Sequence, residues 1–397
     1  MPSLRPVIRA ITLAVALTTG LSSLALAHGA RQPAPKADAP IVIAHRGASG
    51  YVPEHTLAAY WLAIEQGADY VEPDLVMTKD GVLVARHENA IAILNPDGSV
   101  REATTDVAER AEFADRKTTK LIDGTPITGW FTEDFTLAEL KNLRARERIP
   151  QLRSDNTRFD NMFEVPTMEE VLQLVEQANL RRRQAAFAQG GLKALKRVKP
   201  VGVYPETKHP SYFDSIDLSM EEPLVRLLHR YGYRGRDAAV YIQSFEVANL
   251  KDLSRMTRLP LVQLISASGK PYDFVLSGDA RTYADLATAT GLKEIARYAQ
   301  GVGANTSVMI PLSGGRLGTP TRFVADAHAA GLIVHGWTFR AENAFLPNEF
   351  DSSANPAELG DMAGQIKAFL ALGIDGFFTD HPYLGRLARD AFVTAPR

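Results

Sequence analysis

The sequence predicts an α/β chain folded as a (β/α)8 barrel of the TIM type, with an extra hairpin and an insertion after it. Three observations predict this. Eight short apolar runs alternate with helical stretches, the period of parallel βαβ units. Polar and charged residues gather at the C-terminal ends of these runs, where barrel enzymes place their chemistry. The loop after the first run, His45-Arg46-Gly47-Ala48-Ser49-Gly50, is neither G-x-G-x-x-G nor a P-loop, which argues against a doubly wound nucleotide-binding sheet.

The elements follow in order. Arg5 and Arg9 precede an apolar run from Ala10 to Leu26 that closes in Ala25-Leu26-Ala27. A basic start, a run short for a spanning helix and a small-residue cleavage pattern predict a signal peptide over residues 1–27. Residues 28–40 form a Pro/Ala-rich leader, and the barrel domain takes 41–397. The expected location is periplasmic or secreted, after cleavage near Ala27.

Ile41-Val42-Ile43-Ala44 is the first strand, and a helix follows from Thr56 to about Gln66, closed by Gly67. Ala68 to Asp74 is the second strand. Asp80-Gly81 between two strand-like runs predicts a hairpin over residues 70–87. Symmetry about that pair sets His87 opposite Asp74. Residues 88 to about 165 are dense in charged and turn residues, with a short helix near Phe135–Arg144 and no convincing strand, so they predict an insertion over one face. Thr167 caps a helix with Glu169 and Glu170 in its first turn, running to about Asn179. The basic stretch 181–199 is expected to be a helix extension and solvated loop. The other strands are expected at Val201–Glu206, Ala239–Phe245, Leu261–Ile265, Ser307–Pro311, Leu332–Thr338 and Ile374–Thr379.

Composition bounds the chemistry. Of 397 residues, 45% are hydrophobic, enough for a large core, and the net charge of -2 is well mixed. No nucleic-acid surface and no stable membrane association are expected from that balance. The chain has no cysteine, which excludes thiol catalysis and cysteine-ligated metal sites.

The strand ends supply candidates. Glu72 and Asp74 lie two apart in a strand and so face one side. Two carboxylates on one buried face repel unless a cation neutralises them. A hard divalent ion suits them, with Glu206 as a third oxygen ligand. Pairing with Arg46 and Lys208 is the competing reading. His45 and His87 are the candidates for general base and general acid, in either order. Arg46 and Lys208 are candidates to hold phosphate oxygens. Gln243 stands at the same strand level, and Phe245 and Trp337 are candidates for an apolar wall.

These residues carry a pattern. His45-Arg46-Gly47-Ala48-Ser49-Gly50-Tyr51, Pro53-Glu54-His55-Thr56-Leu57, the block from Gly67 to Gly81 and then His87 resemble the glycerophosphodiester phosphodiesterase family, its periplasmic bacterial branch above all. The resemblance continues at Tyr204-Pro205-Glu206-Thr207-Lys208, Tyr241-Ile242-Gln243-Ser244-Phe245, Leu261–Ile265 and Gly376-Phe377-Phe378-Thr379-Asp380. It implies cleavage of glycerophosphodiesters to sn-glycerol 3-phosphate and an alcohol. It also implies a metal at Glu72, Asp74 and Glu206, with Ca2+ favoured over Mg2+, an acid/base pair at His45 and His87, and phosphate contact by Arg46. Many members have Asn at the place of His55 and Asp at the place of Glu88. A phospholipase D-like enzyme acting on lysophospholipids is the alternative, and a non-catalytic binding protein is a second.

Overall fold

The structure, a computed structural model, describes residues 39–395. The expected signal peptide and most of the leader lie outside the described residues.

Strand β1 (Ile41–His45) is buried along nearly its whole length, as its unbroken apolar sequence requires. Strands β2 (Tyr70–Glu72) and β3 (Asp74–Met77) are one pass of chain interrupted at Pro73, which has no N–H to give a ladder. Strand β4 (Leu83–Ala85) returns antiparallel to β3. The insertion contains β5 (Ala90–Leu94), β6 (Val100–Ala103), β7 (Thr118–Ile122) and β8 (Thr125–Phe131). A second interrupted pass, β9 (Gly202–Val203) and β10 (Glu206–Thr207), brackets Tyr204-Pro205. Then come β11 (Ile242–Ser244), β12 (Leu261–Ile265), β13 (Gly301–Asn305), a small hairpin of β14 (Leu312–Ser313) and β15 (Arg316–Leu317), β16 (Ile333–Phe339) and β17 (Gly376–Thr379).

The parallel pairings run β1–β2, β2–β9, β3–β10, β10–β11, β11–β12, β12–β13, β13–β16, β16–β17 and β17–β1. With the two interrupted passes each taken as one strand, eight strands close on themselves. That closure excludes the open doubly wound sheet. Ile43, Tyr204, Val262 and Phe378 fill the barrel interior, and His335 donates to or accepts from the Tyr204 hydroxyl at 2.9 Å. The larger core lies between the sheet and the outer helices.

Helix starts follow their sequence signals. The Thr56 side chain accepts from Ala59 N–H ahead of the helix Leu57–Glu65. Thr167 and Glu170 form a reciprocal capping box ahead of Met168–Leu195. No described helix is long and apolar enough to cross a membrane.

The structure differs from the sequence reading in three places. The insertion holds a four-stranded antiparallel sheet, order β6-β5-β8-β7, where no strand was expected. Ser307–Pro311 is not the sixth strand: β13 precedes it, and Thr306–Met309 is a helical turn. The β13 glycines hide the signal because packing demands them. A Cβ on Gly303 would meet Leu264 at 2.6 Å. The hairpin register is one residue off symmetry, with Leu75 opposite Ala85, so Arg86 faces Asp74 and donates its N–H to the Asp74 carbonyl at 2.9 Å. His87 falls one place beyond.

Candidate active site

All ten residues expected at the site line one cavity at the C-terminal ends of the barrel strands: His45, Arg46, Glu72, Asp74, His87, Glu206, Lys208, Gln243, Phe245 and Trp337. Sheet register brings them together. Glu206 is paired with Asp74 on one side and Gln243 on the other, and His45 is level with Glu72.

Immediately after β1 the chain doubles back. Arg46 and Gly47 have φ of 60° and 84°, and a Cβ at Gly47 would press on the Ala59 carbonyl carbon at 2.7 Å. This turn points the Arg46 N–H at Glu72 Oε2, 2.7 Å away. The guanidinium then reaches Glu54 with Nη1 at 3.1 and 3.0 Å from its two oxygens, and Nε lies 3.4 Å from Asp74 Oδ2.

Glu72, Asp74 and Glu206 are all buried, and each offers an oxygen within 4.8 Å of the others. Gln243 donates to Glu72 Oε1 at 3.1 Å, and His55, wholly buried, bonds Asp74 Oδ2 at 3.0 Å. Asp74 Oδ1 is buried with no hydrogen-bond partner. Burial, then the charges of Asp74 and Glu206, pushes Glu72 well up. Burial, with Asp74 adding to it and Lys208 opposing, pushes Glu206 up to about 8. For Asp74 burial acts upward too, but the His55 bond and the Lys208 charge outweigh it and hold the carboxyl well below its usual range. An orphaned carboxylate oxygen beside two carboxyls that resist ionising is a cluster short of positive charge. An all-oxygen set of this kind suits a hard divalent cation. The competing ion pairs are also present in part, since Lys208 Nζ lies 3.1 Å from Glu206 Oε1.

Each histidine is backed by a carboxylate. His45 Nδ1 lies 2.6 Å from Asp380 Oδ1, and Asp380 Oδ2 receives Arg153 Nη2 at 2.5 Å and Arg340 Nε at 2.8 Å. His87 Nδ1 lies 2.9 Å from Glu88 Oε1. Glu88 Oε2 is in turn bonded to His209 Nε2 at 2.8 Å, and His209 Nδ1 to Asp123 Oδ2 at 2.7 Å. Burial, then Arg46, depresses His45 to about 4 against the pull of Asp380. Burial, then Arg46 and Lys208, depresses His87 to about 3 against Glu88. A neutral imidazole whose Nδ1 faces an ionised carboxylate must carry its proton there. That leaves the Nε2 lone pair of His45 for the cavity, while His87 Nε2 accepts from Lys208 Nζ at 3.4 Å. Burial opposes the charge on His209, but its two carboxylates prevail and raise it to about 9.

Phe245 and Trp337 stand edge to face at 5.7 Å between centroids, and Lys208 Nζ lies over the Phe245 ring. Thr338, Arg340, Leu264 and Phe378 also line the cavity and were not singled out in the sequence. Asp380 stands just after the last strand, Gly376–Thr379, which is the same signal that finds His45. Arg148 and Arg153, in the insertion, carried no such signal. Arg148 Nε bonds Glu54 Oε2 at 3.0 Å, and Arg153 also bonds Glu342 at 2.6 Å and the Ser49 carbonyl at 2.9 Å.

The chain is similar to known proteins over most of its length. The sequence pattern of the Glycerophosphoryl diester phosphodiesterase family matches residues 45–384. The Arabidopsis thaliana protein named glycerophosphodiester phosphodiesterase GDPD6 is 35% identical over 355 residues, 86% of this chain and 83% of the relative. A glycerophosphodiester phosphodiesterase of Haemophilus influenzae is 29% identical over 368 residues, 87% of this chain and 88% of the relative. A phosphodiesterase of Oleispira antarctica, solved in complex with the product sn-glycerol-3-phosphate, shares the fold with a TM-score of 0.52 at 20% identity, covering 89% of this chain and 97% of that one.

Proposed function

From the premise that this chain belongs to the glycerophosphoryl diester phosphodiesterase family, which its match over residues 45–384 establishes, we propose that it hydrolyses glycerophosphodiesters to sn-glycerol 3-phosphate and an alcohol, with Ca2+ preferred over Mg2+. One observation carries the mechanism: two histidine–carboxylate pairs and a three-carboxylate cluster converge on one cavity with Arg46 and Lys208. Glu72, Asp74 and Glu206 would hold the metal, which when bound adds positive charge beside the phosphoryl oxygens. Arg46 and Lys208 bind and orient the anionic diester. Phe245 and Trp337 wall the glycerol carbons, and Gln243 fixes Glu72.

One histidine Nε2 takes the proton of the nucleophile, water or the glycerol 2-hydroxyl, and the other returns a proton to the leaving alcohol. Burial, then Arg46 and Lys208, depresses His87 in the free site. A diester anion seated between those two cations neutralises them and raises that imidazole toward the range a general acid needs. We also propose that the chain is exported, with cleavage after Ala27, which N-terminal sequencing of the recovered protein tests.

The test of the reaction is release of glycerol 3-phosphate from glycerophosphocholine and glycerophosphoethanolamine, with Ca2+, with Mg2+ and with a chelator. Metal-dependent release that His45→Ala and His87→Ala abolish supports the reading. Turnover of lysophospholipid micelles alone would replace it with the phospholipase D-like activity.

A further inference from the structure

The long helix Met168–Leu195 continues past the barrel it packs on. Its buried residues stop at Ala178. Asn179 exchanges two hydrogen bonds with Val201, at 2.9 and 2.8 Å, and so lies level with the chain entering β9, at the rim opposite the cavity. Residues 180–189 therefore project beyond that rim by about 15 Å at 1.5 Å per residue. Gly190 and Gly191 then leave helical geometry, with φ/ψ of -156°/19° and 59°/-150°, and turn the chain, which is back at Val201 six residues after Leu195.

This projection has the wrong composition for a merely solvated helix. Arg181, Arg182 and Arg183 are followed by Lys193, Lys196 and Arg197, and no Asp or Glu occurs between Glu176 and Glu206. Six cations and no acid stand in residues 181–197 of a chain whose net charge is -2. Leu180, Phe187 and Leu192 are exposed at 55, 54 and 69%, and Phe187 and Leu192 flank the Gly190-Gly191 tip. Leu180 and Phe187 are seven apart, on one helix face, with Arg183 between them. Arg182 has a further role, since its Nη2 is tied to the Ile64 carbonyl at 2.9 Å and fastens the base of the projection to the neighbouring helix.

We propose that this projection docks the enzyme on a bilayer surface carrying anionic phospholipid, with Phe187 and Leu192 entering the headgroup boundary and the surrounding cations facing lipid phosphates. Charge complementarity selects this occupant: cations without acids, ringed around exposed apolar side chains, match an anionic lipid surface. The docked enzyme would turn its cavity away from the lipid, open to water-soluble diesters. The sequence alone left this stretch as a solvated loop, because burial and projection are not visible in composition.

The experiment is co-sedimentation of the mature protein with phosphatidylglycerol–phosphatidylcholine vesicles and with phosphatidylcholine vesicles, at low and high salt. The expected result is partition onto the anionic vesicles alone, weakened about tenfold or more by salt, by Arg181→Glu/Arg183→Glu and by Phe187→Ser/Leu192→Ser. Both double variants should keep the parent circular dichroism melt and the parent turnover of glycerophosphocholine. Binding is read without substrate, so it stands or falls apart from the proposed reaction. No partition onto anionic vesicles, or partition that neither double variant weakens, overturns the proposal. So does a concentration-dependent dimer that Phe187→Ser/Leu192→Ser dissolves, which would assign the tip to a second copy.

Discussion

Arg153 Nη2 lies 2.5 Å from Asp380 Oδ2, although 227 positions separate the two residues in the chain. Asp380 in turn holds His45 Nδ1 at 2.6 Å. The insertion therefore supplies a cation to the group that positions a catalytic candidate. Arg153→Ala should lower kcat about 10- to 100-fold with little change in KM, and Arg153→Lys should recover part of the loss. Removing one partner of a buried pair also costs about 3–5 kcal/mol of stability, so the melting temperature should fall in the same variant. Steady-state kinetics and thermal melts check both.

Asp380→Asn tests the tautomer. An amide can donate to Nδ1, and the imidazole proton then moves to Nε2, which removes the lone pair from the cavity. The expected loss in kcat is about a hundredfold or more, with the circular dichroism spectrum unchanged. Wild-type turnover in this variant would mean that His45 is not a proton-transfer group.

The His87 side offers a parallel test. His209 is held between Glu88 and Asp123 and is raised to about 9, so it is a cation at neutral pH that fixes Glu88. His209→Ala should leave Glu88 free to turn from His87 and lower kcat about tenfold. A change confined to KM would place His209 in substrate binding instead.

The histidines also set a pH dependence. Both are depressed, to about 4 for His45 and about 3 for His87, so each stays neutral well below the ordinary imidazole value of about 6.5. With saturating Ca2+, kcat/KM should rise as pH is lowered from 7 toward about 5, because the ring that acts as the acid must first take up a proton, and its acid limb should fall only near the depressed value of the base. The limb in kcat should lie higher, because bound diester offsets Arg46 and Lys208. An acid limb in kcat/KM near pH 6.5 would show that the essential base is not one of these two rings.

Metal removal has a sign of its own. Glu206 is raised to about 8 in the folded chain against an ordinary value near 4.5. Its contribution to metal-free stability is then fully present below pH 4.5 and lost as pH rises to about 8. Adding Ca2+ should raise the melting temperature more at pH 8 than at pH 5.5. Glu206→Gln should stabilise the chelated protein at pH 8 and abolish the Ca2+-dependent gain.

Much of this was legible because it is local. The βα period, the alternation that sets Glu72 beside Asp74, and the rule that chemistry sits at strand ends each need only a few neighbouring residues. The ten expected residues line one cavity for that reason. What stayed hidden depends on distance or on small offsets. Symmetry about Asp80-Gly81 misplaced His87 by one residue, because the turn is not centred on that pair and Arg86 takes the place opposite Asp74. Strand β13 is hidden in the sequence because it carries Gly301 and Gly303, poor strand formers, where a Cβ would press on the Ile333 and Leu264 side chains. Arg148, Arg153 and the His209–Asp123 pair reach the site from residues with no periodic pattern, and only folding reveals what they touch.

The barrel closes by pairing its first strand with its last, and the same closure brings His45 to Asp380. A ribosome makes these two ends at opposite times. Once Glu206 has been made the chain holds every metal-ligand candidate and both histidines, yet His45 has nothing to set its ring. The carboxylate comes 335 positions after His45, with the strand that begins at Gly376. The emerging polypeptide is thus a complete set of parts without a working order, and it becomes competent for turnover only after the last barrel strand has been made.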